Sequence, residues 1–296
     1  MRPVLYLIVA TIFWGLNFHL VKIMLLETNA FTAGFWRYLF AVPVLLIFAW
    51  KEPLLRYFKH PQAVVWIGIV GLFGFNYFFF TGMKYTAAIN GALIISLNPV
   101  VTLIVSRIIL KTAITWLNVL GILIAFFGVV ILLTKGNLLA LSQIEFNQGD
   151  VYIWIANILF SINHVMVKKH AAVLPVKVIT TSSALVCLVC FAIAFPITSP
   201  MSVGMSGTYW ISTIVVGIGG TSISFYLWNQ GINRLGAPTA SLFMNFVPVF
   251  AGLSSFFFGE SLQFYHLLSL IIVIVGLLTM NLQAIRTFSL KHPKTA

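Results

Sequence analysis

From Val178 to Asn233 the chain carries no Lys, Arg, Asp or Glu. A folded surface in water needs charge, so lipid is the solvent that suits such a stretch. A single helical crossing of a roughly 30 Å hydrocarbon core takes only about 20 residues. The run must therefore hold two membrane helices, and Pro196, Pro200, Gly204 and Gly207 mark the turn between them. The rest of the chain has the same character. Of its 296 residues 60% are hydrophobic and only 7% charged, against the roughly 25% charged of ordinary soluble domains.

Apolar segments of crossing length predict ten helices, over 3–23, 30–50, 62–83, 86–107, 114–134, 150–168, 177–196, 209–231, 237–258 and 263–285. The expected fold is all-α and polytopic. Pro3–Val21 is uncharged, too long for a signal-peptide core, and no small-residue cleavage site follows it. It is expected to be an uncleaved first membrane helix. The longest loop, Lys135–Gly149, divides the chain. The expected organisation is a first five-helix repeat over 1–135, a periplasmic connecting loop over 136–149, a second repeat over 150–286 and a cytoplasmic tail over 287–296.

The net charge of +12 sits in short segments between the apolar runs. That pattern orients a membrane protein and leaves no basic patch for nucleic acid. With the N-terminus in the cytoplasm, the inner segments hold Arg2, Lys51, Arg56, Lys59, Arg107, Lys111, Lys168, Lys169, Lys177, Arg234, Arg286, Lys291 and Lys294. The outer ones hold Lys22, Arg37, Lys84 and Lys135, with four of the five acids (Glu27, Glu145, Asp150 and Glu260). This positive-inside bias predicts both termini in the cytoplasm and a multi-pass protein of the inner (plasma) membrane.

The chain repeats itself. An offset of 146 aligns Ala10, Asn17, Val21 and Lys22 with Ala156, Asn163, Val167 and Lys168, and pairs Trp14 with Phe160. An offset of 149 aligns Tyr77, Gly82, Ala88 and Pro99 with Tyr226, Gly231, Ala237 and Pro248, and sets Ser96 against Asn245. Each half has an odd number of crossings, so the second enters the membrane from the opposite side. Inverted repeats are a recurring design of secondary transporters, with the substrate near the midplane at the repeat interface.

Polar groups inside the spans are costly unless they face a cavity or one another. The candidates are Asn17, His19, Asn76, Tyr77, Asn90, Asn98, Asn157, Asn163, His164, Tyr226, Trp228, Asn229 and Asn245. Trp14 and Asn17 share a face by 3–4 spacing, as do Phe160 and Asn163. These faces either line a cavity or tie helices together by hydrogen bonds. His19 and His164 either titrate and gate a proton or make neutral helix contacts. Arg37 either clamps a substrate carboxylate or snorkels outward to Glu27. Pro99 and Pro248, in mid-span, are expected to kink the fourth and ninth helices and to free backbone carbonyls there.

No Asp or Glu lies deep in a span, which removes a carboxylate proton relay and a counter-ion for a lipophilic cation. No GxxxxGK[ST] loop is present, so ATP is not the expected driver. No cofactor is expected. The clustered carboxylates of membrane prenyltransferases and metal-dependent intramembrane proteases are missing. Gly220-Thr221-Ser222-Ile223 meets only half of a serine-protease GxSG. Cys187 and Cys190 have no second pair to make a metal or redox site and are expected to be structural.

Trp14-Gly15 with Lys22, Arg37-Tyr38, Asn98-Pro99-Val100, Val247-Pro248-Val249, Gly259-Glu260, Gly128 and Gly276, in this order, resemble EamA-type members of the drug/metabolite transporter superfamily over nearly the whole chain. Lys111, where the first half often has Glu, and Phe160-Ser161, in place of Trp-Gly, depart from that pattern. The resemblance implies a ten-helix inverted-repeat fold and export of small metabolites, often amino acids, with aromatic amino-acid exporters as a specific match. The site is expected at Asn17, Asn163, Tyr77, Tyr226, Trp14, His19, His164 and Arg37, with a small-molecule substrate and the lipid bilayer as partners. The alternatives are a cationic-drug efflux pump of the same superfamily and a membrane enzyme or scaffold without transport.

Overall fold

The structure is a computed structural model describing residues 2–54, 61–86, 88–143, 146–198, 204–254, 256 and 263–291. Glu145, Pro200, Gly259 and Glu260 lie outside the described residues, as does the side chain of Asn90. Every extended element among them is helical. Among the described residues nine helices are long and apolar enough to cross a membrane, and Phe264–Met280 forms a shorter apolar one. This is a polytopic membrane fold.

We number the crossings α1 (Arg2–Glu27), α2 (Ala30–Phe48), α3 (Pro61–Trp66, Ile67–Gly74 and Phe75–Tyr85), α4 (Ala88–Ser96 and Asn98–Leu110) and α5 (Trp116–Leu133). The second half has α6 (Gln148–His170), α7 (Val176–Thr198), α8 (Gly207–Val215, Val216–Ile223 and Ser224–Leu235), α9 (Ala237–Leu242, Phe243–Asn245 and Phe246–Ser254) and α10 (Phe264–Lys291). Local chemistry sets several ends. Asn29 caps α2 through its side-chain oxygen, and Thr115 and Asn147 form capping boxes at α5 and α6.

The middle segments of α3 and α8 are π-helical, Ile67–Gly74 and Val216–Ile223, and the offset of 149 superposes them. Glycines open the backbone there, and a π-turn frees carbonyls in mid-membrane for other groups. The fourth and ninth crossings are also interrupted. Leu97 separates the two parts of α4, with Pro99 in the first turn of the second. In α9 a 3₁₀ turn at Phe243–Asn245 precedes Pro248. The prolines thus stand just beyond a break, where a missing N–H costs least.

Packing between halves follows one rule. α1 packs on α8 and α9, and α6 on α3 and α4. α2 meets the π segment of α8, and α7 that of α3, while α2 pairs with α7 and α5 with α10. Exchanging the halves leaves this set of pairs unchanged, as a pseudo-two-fold relation requires. Close approaches obey it too. A Cβ at Gly68 would lie 2.6 Å from Val186 Cβ, and one at Gly217 would lie 2.9 Å from Phe40 Cβ. Phe40 and Val186 are themselves related by the offset of 146.

Candidate functional site

A cavity of about 230 Å³ lies between the halves. Its deep wall is aromatic: Trp14 from α1, Phe75 and Phe79 from α3, Phe160 from α6 and Phe225 from α8. It reaches the end of the bundle where α1 and α3 finish, with Lys22, Leu26 and Lys84 exposed at the rim. The aromatic wall follows from sequence: Phe75 and Phe79, four apart, share a helix face, and Phe75 stacks on Phe160 with centroids 4.3 Å apart.

Of the residues singled out from sequence, Trp14, Asn17, Lys22, Arg37, Asn76 and Phe160 line this cavity. The Trp14 indole N–H donates to the Gly220 carbonyl at 2.8 Å, using a group inside the π segment of α8. Arg37 is only 6% exposed and does not reach Glu27. Its Nε donates to Thr221 Oγ1 at 2.5 Å and its Nη1 to Asn76 Oδ1 at 3.1 Å. Asn76 in turn donates to the Tyr38 hydroxyl and the Leu72 carbonyl. The guanidinium carbon stands 6.0 Å from the Tyr38 and Phe80 ring centroids. A buried guanidinium held by neutral oxygens and ring faces is oriented without being neutralised.

Beyond the cavity floor the described side chains pack closely. Trp14, Phe160, Phe225 and Trp228 pack ring on ring, with Trp14 and Trp228 centroids 4.8 Å apart. Trp228 Nε1 donates to His164 Nε2 at 2.9 Å, so that nitrogen is the unprotonated one. Further along, Lys168 Nζ donates to the Asn233 carbonyl at 2.5 Å. Asn163 is buried among Tyr38, Leu72, Thr180, Ser183 and Asn229 around a cavity of about 10 Å³. Its amide makes no hydrogen bond among the described residues.

The remaining candidates lie elsewhere. His19 Nε2 stands 3.0 Å from the Ala251 carbonyl of α9. Tyr77 packs on Phe31. Tyr226 packs on Phe48 and accepts from Gln230. Asn98 donates to Asn157 and Ser161, tying α4 to α6. Sequence reasoning passed over Phe75, Phe79, Phe80, Phe225 and Lys84, because an aromatic run in a span looks the same whether it faces lipid or a cavity. Gly220-Thr221-Ser222 serves packing: Ser222 Oγ bonds the Ala41 and Gly217 carbonyls. Cys187 is buried, and no metal-ligand cluster occurs among the described residues.

Two halves of membrane helices enclosing a cavity open at one end define a membrane transporter. The profile of the EamA-like transporter family matches residues 1–134 and 147–282. The chain belongs to that family and is a multi-pass membrane protein. It is 33% identical over 284 residues to the uncharacterized transporter YyaM of Bacillus subtilis, covering 91% of this chain and 90% of that one. It is 26% identical over 175 residues to the aromatic amino acid exporter YddG of Ancylobacter novellus, covering 57% and 58%. A solved crystal structure shares the fold with a TM-score of 0.77 at 20% identity, over 96% of this chain and 99% of that one.

Proposed function

We propose that this transporter is a secondary exporter of amino acids or similar small metabolites across the plasma membrane, without enzymatic activity. It works by alternating access between two inverted five-helix units, 1–135 and 150–286, with both termini in the cytoplasm. The observation that carries the reading is the unequal state of image-related positions. Asn17 borders the open cavity while Asn163 is enclosed. Lys22 lines the open rim while Lys168 is bonded across the closed end. Exchanging the conformations of the halves closes one end and opens the other. Trp14, Asn17 and Arg37 form the substrate contact in this state. Asn163 and His164 join it in the other, where His164 loses its Trp228 bond and becomes available to a proton.

A cationic-drug pump needs a carboxylate at the site, and none of the described lining residues is Asp or Glu. The test is solute counterflow in proteoliposomes loaded with a pooled panel of amino acids and small metabolites, with and without a pH gradient. Selective exchange of one class supports the reading. An absence of exchange from folded protein counts against it.

A further inference from the structure

The cavity holds positive charge, and none of its described lining residues is Asp or Glu. Arg37 has five N–H donors, and its bonds to Thr221 and Asn76 involve only Nε and Nη1. Both acceptors are neutral. Lys22 and Lys84 add two exposed ammonium groups at the rim. The two described acids at that end have other partners. Glu27 accepts from Ser206 N at 2.8 Å and from Ser206 Oγ at 2.5 Å. Asp150 accepts from Asn147 N at 2.8 Å and from the Thr86 hydroxyl. The remaining wall is mostly aromatic and aliphatic, which raises the strength of any charge interaction made against it.

Among the described residues this site has an anchor for an anion and no carboxylate for an ammonium group. Its image position confirms the count of anchors: Ser183 Oγ in α7 stands where Arg37 stands in α2, and bonds its own helix at Ile179. The guanidinium therefore belongs to one half alone. The cavity is also small beside the roughly 300–1,000 Å³ usual for drug-sized ligands.

Resting on the transporter reading above, we infer that the site takes small monocarboxylates with an apolar, aromatic or branched body. Arg37 receives the carboxylate in two-point fashion, and the α-amino group is left unread. Deaminated acids, such as 2-hydroxy and 2-oxo acids, then pass at least as well as the amino acids of the same body. A free ammonium on the substrate meets the Arg37 guanidinium and the two rim lysines, with only ring faces and neutral amides to receive it.

Counterflow with the intact protein in proteoliposomes tests this with three solutes of one body: phenyllactate (anion), phenylalanine (zwitterion) and phenethylamine (cation). The expected order is phenyllactate equal to or faster than phenylalanine, with the amine not exchanged. Arg37→Gln lowers phenyllactate exchange by at least tenfold, and Lys84→Gln raises its apparent KM at low salt. In detergent, phenyllactate raises the melting temperature of the wild-type protein and phenethylamine does not, a reading that holds even if Arg37→Gln does not fold. Exchange of phenylalanine without phenyllactate, or of the amine, overturns this inference and leaves the transporter reading standing. Failure of these solutes and of the whole pooled panel removes both.

Discussion

The side chain of Asn17 in α1 occupies the space that a Cβ on Gly220 of α8 would need, and Asn163 of α6 does the same to Gly71 of α3. The pair Asn17–Gly220 is the image of Asn163–Gly71 under the offsets 146 and 149. Each asparagine is pressed on the π segment of a helix from the other half. The two sites differ in what surrounds them, since only Asn17 has the larger cavity at its back.

That difference predicts unequal tolerance of a methyl group. A Cβ at Gly71 would lie 2.6 Å from Asn163 Oδ1 and 2.8 Å from its Cβ, so the stem as well as the tip must move. At Gly220 the atoms met are all at the tip of Asn17, which can swing into the cavity. Gly71→Ala should cost about 1–3 kcal/mol and Gly220→Ala clearly less. Thermal unfolding in detergent checks the order, and a greater loss for Gly220→Ala would contradict it.

Asn17→Leu and Asn163→Leu should each cut flux at least ~10-fold, equivalent to about 1.4 kcal/mol, with membrane expression unchanged. Asn163 makes no hydrogen bond among the described residues, so the Leu variant should keep or raise its Tm. Unchanged flux in counterflow would take these residues out of the site.

In the proposed mechanism the Trp228–His164 hydrogen bond is part of the gate. Trp228→Phe removes the donor and leaves His164 Nε2 buried and unpartnered, at about 1–3 kcal/mol. The penalty falls on the state described here and shifts the population towards opening at the Lys168 end. A Val167→Cys reporter, buried in this state, should react with a polar thiol reagent on the order of tenfold faster in the Trp228→Phe background. Equal labelling rates would show that the bond is not part of the gate.

Lys177 and Glu52 form the one ion pair among the described residues, at 2.8 Å, with side chains 33% and 19% exposed. A partly solvated pair contributes little. Glu52→Gln should change stability by no more than about 1 kcal/mol, measured by thermal unfolding at two ionic strengths.

The excess of Lys and Arg in alternate loops predicts cytoplasmic termini. A C-terminal fluorescent-protein fusion should glow and an alkaline phosphatase fusion should be inactive. The reverse pattern would turn the molecule over and, with it, the direction in which the cavity opens.

Much of this was legible in the sequence because lipid leaves few options. Uncharged runs of crossing length located the helices, and paired Asn, Gly, Tyr and Pro residues revealed the repeat. Trp14, Asn17 and Arg37 could be named in advance because a polar or charged group in a span stands out. Tyr77 and Tyr226 show where that signal stops. They repeat as faithfully as the asparagines, yet sit against Phe31 and Phe48 away from the cavity, one residue out of step with Asn76 and Phe225, which face inward. A repeat marks equivalence between halves without saying which side of a helix is covered. The π segments were likewise hidden, since glycines in a span suit close packing and a bulge equally.

Hydropathy, charge and the two offsets thus determined a multi-pass protein of related halves, because the cost of burying charge in lipid acts locally on each span. Only the tertiary structure decided that Arg37 turns inward to Thr221 and Asn76, that Trp14 caps a carbonyl of the π segment, and that one end is open while the other is closed. Those features depend on how helices from different halves meet, and related halves can settle into unequal conformations that no local pattern encodes.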